Sequence, residues 1–165
     1  MSSQSASLHD AFPAPIRHAA GLSRFLVRML DSRPWLAQRL ATSIDGALDA
    51  DATRAFLAEQ DAAAGGTDVA LRQALRHLRT WVLCHLITRD LAGRADLAEV
   101  TETMTVLAEV AVRHAHDVLR AALVQRYGLP LSPTGWDQEL LIIGMGKLGG
   151  RELNVSSDID LIFIY

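Results

Sequence analysis

Residues 139–165 read ELLIIGMGKLGGRELNVSSDIDLIFIY, and their pattern breaks with everything before them. Glu139-Leu140-Leu141-Ile142-Ile143-Gly144 is a short apolar run halted by glycine, which predicts a buried strand. A glycine-rich stretch follows through Gly150. Asp158-Ile159-Asp160-Leu161-Ile162-Phe163-Ile164-Tyr165 then predicts a second strand, rich in β-branched and aromatic residues, with both acids at its start. The expected order is strand, glycine turn, short helix, strand.

Upstream the grammar is helical. Ile16, Ala19, Ala20, Leu22, Phe25, Leu26, Met29 and Leu30 recur near every 3.6 residues and predict one amphipathic helix. Asp31-Ser32-Arg33-Pro34 breaks it, with Asp31 or Ser32 as the expected N-cap of a helix through Trp35, Leu36 and Leu40. Asp49 to Ala64 forms another helical segment, and Gly65-Gly66-Thr67-Asp68 is expected to end it and cap the next. The strongest periodicity runs from Asp68 to Leu91, with Leu71, Leu75, Leu78, Val82 and Leu86 on one face and Arg72, Arg76 and Arg79 on the other. A second long helix is expected from Asp96 to Tyr127, stopped by Gly128 and Pro130. Two long helices joined by a short loop should pack as an antiparallel hairpin.

Composition narrows the possible functions. The 165 residues are 50% hydrophobic, 21% charged and 5% aromatic, which excludes disorder and collagen-like repeats. A net charge of -3 lacks the cationic footprint of a protein that binds nucleic acid through phosphate neutralisation, so no nucleic-acid partner is expected. No apolar stretch reaches the roughly 18 to 20 residues needed to cross a bilayer, so no membrane association is expected either. Cys84 is the single cysteine; it supports no disulfide or cysteine zinc site and points to a reducing, cytoplasmic setting. Residues 1–15 lack the basic start and apolar segment of a secretory leader. Arg17, Arg24 and Arg28 would suit a transit peptide, but a disordered tail is the better reading.

Gly144-Met145-Gly146-Lys147-Leu148-Gly149 satisfies GxGxxG after a strand, which raises a dinucleotide-binding oxidoreductase as one alternative. That fold needs a full crossover helix and an acid after the second apolar run, whereas Asp158 and Asp160 precede theirs. A P-loop fails too, because Leu148 stands where Ser or Thr should follow Lys147. In a strand, residues i and i+2 face the same way, so Asp158 and Asp160 should project together, about 6 to 7 Å apart at the backbone. Their mutual repulsion, about 2 to 3 kcal/mol at an effective dielectric of 20, would be reversed by divalent cations. An oxygen-only pair suits Mg²⁺ with nucleotide phosphates, and two-metal phosphoryl or nucleotidyl transfer is the natural chemistry. Backbone amides at Gly144, Gly146, Gly149 and Gly150, with the hydroxyls of Ser156 and Ser157, could hold phosphate oxygens.

Residues Gly144 to Phe163, GMGKLGGRELNVSSDIDLIF, closely resemble the catalytic signature of the glutamine synthetase adenylyltransferase/adenylyl-removing enzyme family, within the DNA polymerase beta-like nucleotidyltransferase superfamily. The segments Leu78–Leu91 and Asp96–Leu107 resemble it as well. Enzymes of that family carry two nucleotidyltransferase domains, both using Mg²⁺. The amino-terminal one removes AMP from glutamine synthetase by phosphorolysis, and the carboxy-terminal one attaches AMP from ATP to a tyrosine. Leu153-Asn154 and Ile159 match the removing domain, and the Met-initiated helical region upstream agrees. The resemblance implies Asp158 and Asp160 as catalytic metal ligands and Gly144, Gly146, Ser156 and Ser157 as the lining of the phosphate site. Lys147 and Arg151 would offset phosphate charge or stand solvated. ATP or ADP and phosphate are the implied substrates or products, and glutamine synthetase and a nitrogen-signalling PII protein the implied partners. A third carboxylate from a later strand is expected to complete the site, so residues 1–165 alone are expected to be inactive.

The expected fold class is therefore α+β: a mostly α-helical region at 16–133 followed by the first strand-turn-helix-strand of a nucleotidyltransferase domain at 134–165. The rival of another class is a helical interaction module without catalysis. Other chemistry-bearing residues are expected to be structural. His114 and His116 point about 200° apart on a helix and cannot share a metal, His77 and His85 lack ligand partners, Cys84 reads as a small core residue, and Trp35, Trp81 and Trp136 form no stacking platform.

Overall fold

The computed structural model describes residues 12–64 and 68–165; the expected disordered tail, except its last residues, and the Gly65-Gly66-Thr67 cap lie outside them. The architecture is α+β, six helices followed by a two-stranded antiparallel sheet with one helical turn between its strands.

The first expected helix is two. Helix α1 (Ala14–Leu22) ends and α2 (Arg24–Ser32) begins at Ser23, which serves both. Its N–H donates to the Ala19 carbonyl, closing α1, and its Oγ accepts from the Leu26 N–H, opening α2. A serine N-cap two residues after a helix-weakening glycine outweighs a hydrophobic stripe that continues unbroken across the junction. At the next break neither Asp31 nor Ser32 is the N-cap of α3 (Pro34–Ser43). Pro34 occupies its first turn and keeps Arg33 out of the helical conformation, so Arg33 takes the cap position without a side-chain bond. Ser32 Oγ instead donates back to the Arg28 carbonyl at 2.7 Å. Helix α4 (Ala50–Ala64) starts on Asp49, whose Oδ1 accepts from the Ala52 N–H.

Helix α5 (Asp68–Leu91) is the axis of the fold, packed against each of the other helices up to α6 (Leu97–Tyr127). Trp81 through Leu86 are all buried, an all-round burial that only a central helix reaches. Arg72, Arg76 and Arg79 are exposed, as their spacing predicts. Helix α6 begins on Asp96, whose Oδ1 accepts from the Glu99 N–H, and ends on Gly128 in a positive-φ conformation. Its first half is buried against the core, whereas Leu119, Leu123 and Tyr127 in its second half are exposed.

His85 and Arg89 are among the polar side chains buried in this helical core. The His85 Nε2–H donates to the Ser43 carbonyl at 3.0 Å, and Nδ1 is buried with no hydrogen-bond partner among the described residues. Burial pushes the His85 imidazole below its ordinary pKa, against the opposing pull of the Ser43 carbonyl. Arg89, with 8% of its side chain exposed, donates from Nε and Nη2 to the two Glu99 oxygens at 2.6 and 2.9 Å. It also donates from Nη1 to the Ile44 carbonyl and from Nη2 to the Arg94 carbonyl. Cys84 is fully buried, its thiol pushed up to about 12, as befits a core residue.

The sheet pairs β1 (Leu141–Gly144) with β2 (Leu161–Ile164), with Leu141 opposite Ile164 and Gly144 opposite Leu161. Both strands are shorter than their apolar runs. Ladder pairing puts Ile142, Gly144, Leu161 and Phe163 on one face and Leu141, Ile143, Ile162 and Ile164 on the other, where all four are more than 40% exposed. Between the strands, Leu148 and Leu153 are buried in the same apolar cluster as the helices.

Replacing Arg89 with methionine should lower unfolding free energy by about 3 to 5 kcal/mol in a denaturant titration, because Glu99 and the Ile44 carbonyl lose their donor inside the protein. His85 has a lowered folded-state pKa, so the unfolded chain takes up its proton first. Stability should therefore be fully present above about pH 6.5 and decline on acidification toward the lower folded value. In His85→Gln the slope of unfolding free energy against pH should flatten below that point.

Candidate functional site

The site grows from the way β1 ends. At Gly144 the chain leaves the strand and enters the single turn α7 (Gly146–Gly149), and the Met145 N–H donates to the Asp160 carbonyl at 2.9 Å, carrying the pairing one residue past the ladder. Three glycines permit this passage for different reasons. A Cβ at Gly144 would lie 2.7 Å from Leu148 Cγ, so the buried leucine covers it. A Cβ at Gly149 would lie 2.7 Å from the Gly144 carbonyl oxygen, which makes Gly149 the point where turn and strand touch. Gly146 has φ +53, and a Cβ there would stand 3.6 Å from Asp160 Oδ2.

Asp158 and Asp160 do not lie inside a strand. Strand β2 starts at Leu161, because its partner ladder stops at Gly144 and the chain before it has only the Met145 N–H to pair with. The two acids occupy the extended approach to β2, exposed, with no side-chain hydrogen bond or ion pair among the described residues. Asp160 is brought to the glycine turn at Gly146.

Ser156 and Ser157 sit in a tight turn organised by Asn154. Both hydroxyls donate to Asn154 Oδ1, at 3.0 and 2.9 Å, which also accepts from the Ser156 N–H, while Ser157 Oγ accepts from the Asn154 N–H. Each hydroxyl could serve a phosphate only by leaving Asn154. Lys147 is exposed on α7. Arg151 is committed elsewhere: it donates to Glu102 and Glu109 of α6, and those carboxylates hold its guanidinium above its ordinary pKa.

The dinucleotide alternative does not survive this geometry. A dinucleotide crossover joins parallel strands through a full helix, whereas β1 and β2 are antiparallel and α7 is one turn. The remaining histidines are separate, as expected: His114 faces Asp61 at 3.4 Å, and His116 faces Asp117 at 3.0 Å. His77 Nδ1 meets Gln60, and its pKa is lowered by burial and by Arg33 and Arg76. Trp35 and Trp81 pack with Phe56 in the helical interior. A cleft of about 1060 Å³ opens between α4, α6 and β1, lined by Arg54, Arg113, Glu109 and Ile142 among others, on the helical side of the sheet. Among the described residues no group of three or more His, Cys, Asp or Glu side chains converges as a metal site, and no helix is long and apolar enough to cross a membrane.

The class is thus an α+β chain in which a glycine turn and two unpaired carboxylates stand on a helical base. The chain belongs to the glutamate-ammonia ligase adenylyltransferase family, whose model matches residues 14–165. It is 66% identical over 158 residues to the bifunctional glutamine synthetase adenylyltransferase/adenylyl-removing enzyme of Aromatoleum aromaticum, covering 94% of this chain. It is 50% identical over 145 residues, 87% of this chain, to the protein of the same name from Burkholderia mallei. Over 155 residues, 92% of this chain, it is 46% identical to that from Bordetella pertussis. The chain spans 16% of the length of each of these relatives.

Gly149→Ala should destabilise the protein by about 1 to 3 kcal/mol, since the new methyl meets backbone that can yield only by parting α7 from β1. Gly21→Ala, with open space around it on α1, should stabilise by about 0.5 to 1 kcal/mol. Thermal melts of the two variants should therefore move in opposite directions.

Proposed function

We propose that this segment belongs to an enzyme that controls glutamine synthetase by reversible adenylylation of a tyrosine, and that it forms the beginning of the adenylyl-removing half. The observation that carries this reading is the exposed, unpaired state of Asp158 and Asp160, with the Asp160 carboxylate beside Gly146 at the start of the glycine turn. Family membership supports the adenylylation chemistry, and Leu153-Asn154 with Ile159 favours the removing half. In this reading residues 16–133 are the helical support, and 134–165 are the opening of the nucleotidyltransferase domain.

The donor set fits Mg²⁺: two hard carboxylates in solvent, with no ion pair to either among the described residues. Bound there, Mg²⁺ would neutralise phosphate charge and orient the reacting oxygens. Asp158 and Asp160 would hold it, and a third carboxylate is expected from chain beyond these residues. Gly146 leaves room for phosphate oxygens at the turn, where the first amides of α7 have no intrahelical acceptor, and Gly144, whose open side is filled by Leu148, lines the site with its backbone. Lys147 adds positive charge beside them, and Ser156 and Ser157 line the approach when their hydroxyls exchange Asn154 for phosphate. In phosphorolysis an oxygen of inorganic phosphate attacks the phosphorus of the tyrosine-bound AMP. The phosphorus–tyrosine oxygen bond breaks, and ADP and the free tyrosine hydroxyl result. The partners would be adenylylated glutamine synthetase and a PII-type signalling protein, in the reducing, cytoplasmic setting that the lone cysteine indicates.

In the full-length chain, Asp158→Asn combined with Asp160→Asn should lower phosphate-dependent release of ADP from adenylylated glutamine synthetase by about a hundredfold or more. AMP attachment should be retained. Unchanged release would remove these carboxylates from the site.

A further inference from the structure

Arg151 occupies a position where the backbone favours glycine. Its φ is +57, and it is the one non-glycine residue with positive φ among those described. Around it the chain forms a Schellman closure of α7: the Arg151 N–H donates to the Leu148 carbonyl and the Glu152 N–H to the Lys147 carbonyl, at 3.2 and 2.8 Å. Glycine is the usual occupant of the left-handed position in that motif. Here the glycine that closeness demands is Gly149, against the Gly144 carbonyl, and the left-handed position itself carries an arginine.

The side chain accounts for the choice. Arg151 Nη2 and Nε donate to the two Glu102 oxygens at 2.6 and 3.3 Å, and Nη1 donates to Glu109 Oε1 at 2.8 Å. A single helical turn cannot hold itself in place. Leu148 anchors α7 from below through the apolar core, and Arg151 ties its end to α6. The other end of the same turn is Gly146, beside Asp160 Oδ2, and the Gly150 N–H returns to the Gly146 carbonyl at 3.0 Å.

We propose that Arg151 is a positioning residue for the nucleotidyl-transfer site: clamped by Glu102 and Glu109, it fixes α7 and thereby the placement of the glycine turn against Asp160. This rests on the proposed role of Asp160 and adds to it a requirement for α6. A purely structural cap would be served as well or better by glycine, which accepts φ +57 without strain. The clamp instead makes the geometry of the carboxylates depend on the helical base.

The test uses the full-length enzyme with Arg151→Gly, Arg151→Lys and the pair Glu102→Gln with Glu109→Gln. Arg151→Gly should keep its melting temperature, yet lower kcat for phosphorolysis about tenfold or more and raise the Mg²⁺ concentration needed for half-maximal rate, with KM for the adenylylated protein little changed. The glutamine pair should reproduce this while leaving Arg151 present, and Arg151→Lys should recover part of the rate. Full kcat and an unshifted Mg²⁺ requirement in both Arg151→Gly and the glutamine pair would overturn the proposal and leave the clamp a surface ion pair. If Arg151→Gly fails to fold, the glutamine pair alone decides by the same two readouts. Asp158→Asn with Asp160→Asn, run alongside, separates the two ideas: retained activity there defeats the site assignment, whereas lost activity there with normal clamp variants defeats only Arg151.

Discussion

The guanidinium of Arg89 is the point at which four parts of the chain are made to agree. It reaches the carbonyl that ends α3, belongs to the last turn of α5, closes the connection at Arg94 and takes both oxygens of Glu99 in the first turn of α6. A planar fork of five N–H donors can satisfy these acceptors together; an ammonium group could not meet the bidentate carboxylate and two divergent carbonyls at once. Because the group is almost entirely removed from water, each of those bonds is a condition for burying the charge at all. The start of α6 is therefore fixed. Glu102 and Glu109 follow Glu99 by three and ten residues, close to one and three helical turns, so all three fall near one face. The register set at Arg89 is thus carried along α6 to the carboxylates that meet Arg151.

Sequence made the long helices legible nearly to the residue, because their ends carry side-chain and glycine chemistry. Asp96 caps α6, Gly128 ends it, and the apolar spacing of α5 runs straight into its buried half. It misled where periodicity spoke louder than local bonding. The stripe from Ile16 to Leu30 continues through Ser23, so the break there is invisible to spacing and visible only to capping. Asp158 and Asp160 drew attention by type and order, and both are exposed at the entrance to β2. Their inclusion in a strand failed because strand length depends on what the partner offers, and β1 stops at Gly144. The tie from Arg151 to α6 was out of reach, since it joins residues 49 and 42 apart in the chain, with no local pattern to announce it. The involvement of Asn154 with Ser156 and Ser157 was within reach: an Asn followed at two and three residues by Ser is an Asx-type turn in waiting.

The glycine run shows why one motif fits unrelated sites. GxGxxG is satisfied here by a residue covered by Leu148, a residue with positive φ beside Asp160 and a residue pressed on a strand carbonyl. None of these is the tight strand-to-long-helix turn for which the pattern is usually read. What they share is the close passage from β1 into α7, where Gly149 comes back against the Gly144 carbonyl and Leu148 fills the space beside Gly144, so that side chains are excluded.

Cys84 gives the helical core a built-in reporter. Its sulfur lies on the central helix between Leu83 and His85, fully enclosed, and the thiolate that alkylating reagents require is scarcely populated while it stays there. Reaction at this atom therefore counts molecules in which α5 has parted from its neighbours, and the rate of labelling in native buffer measures how often the core opens. Residues 1–165 hold no other thiol, so this segment carries its own stopwatch for that event.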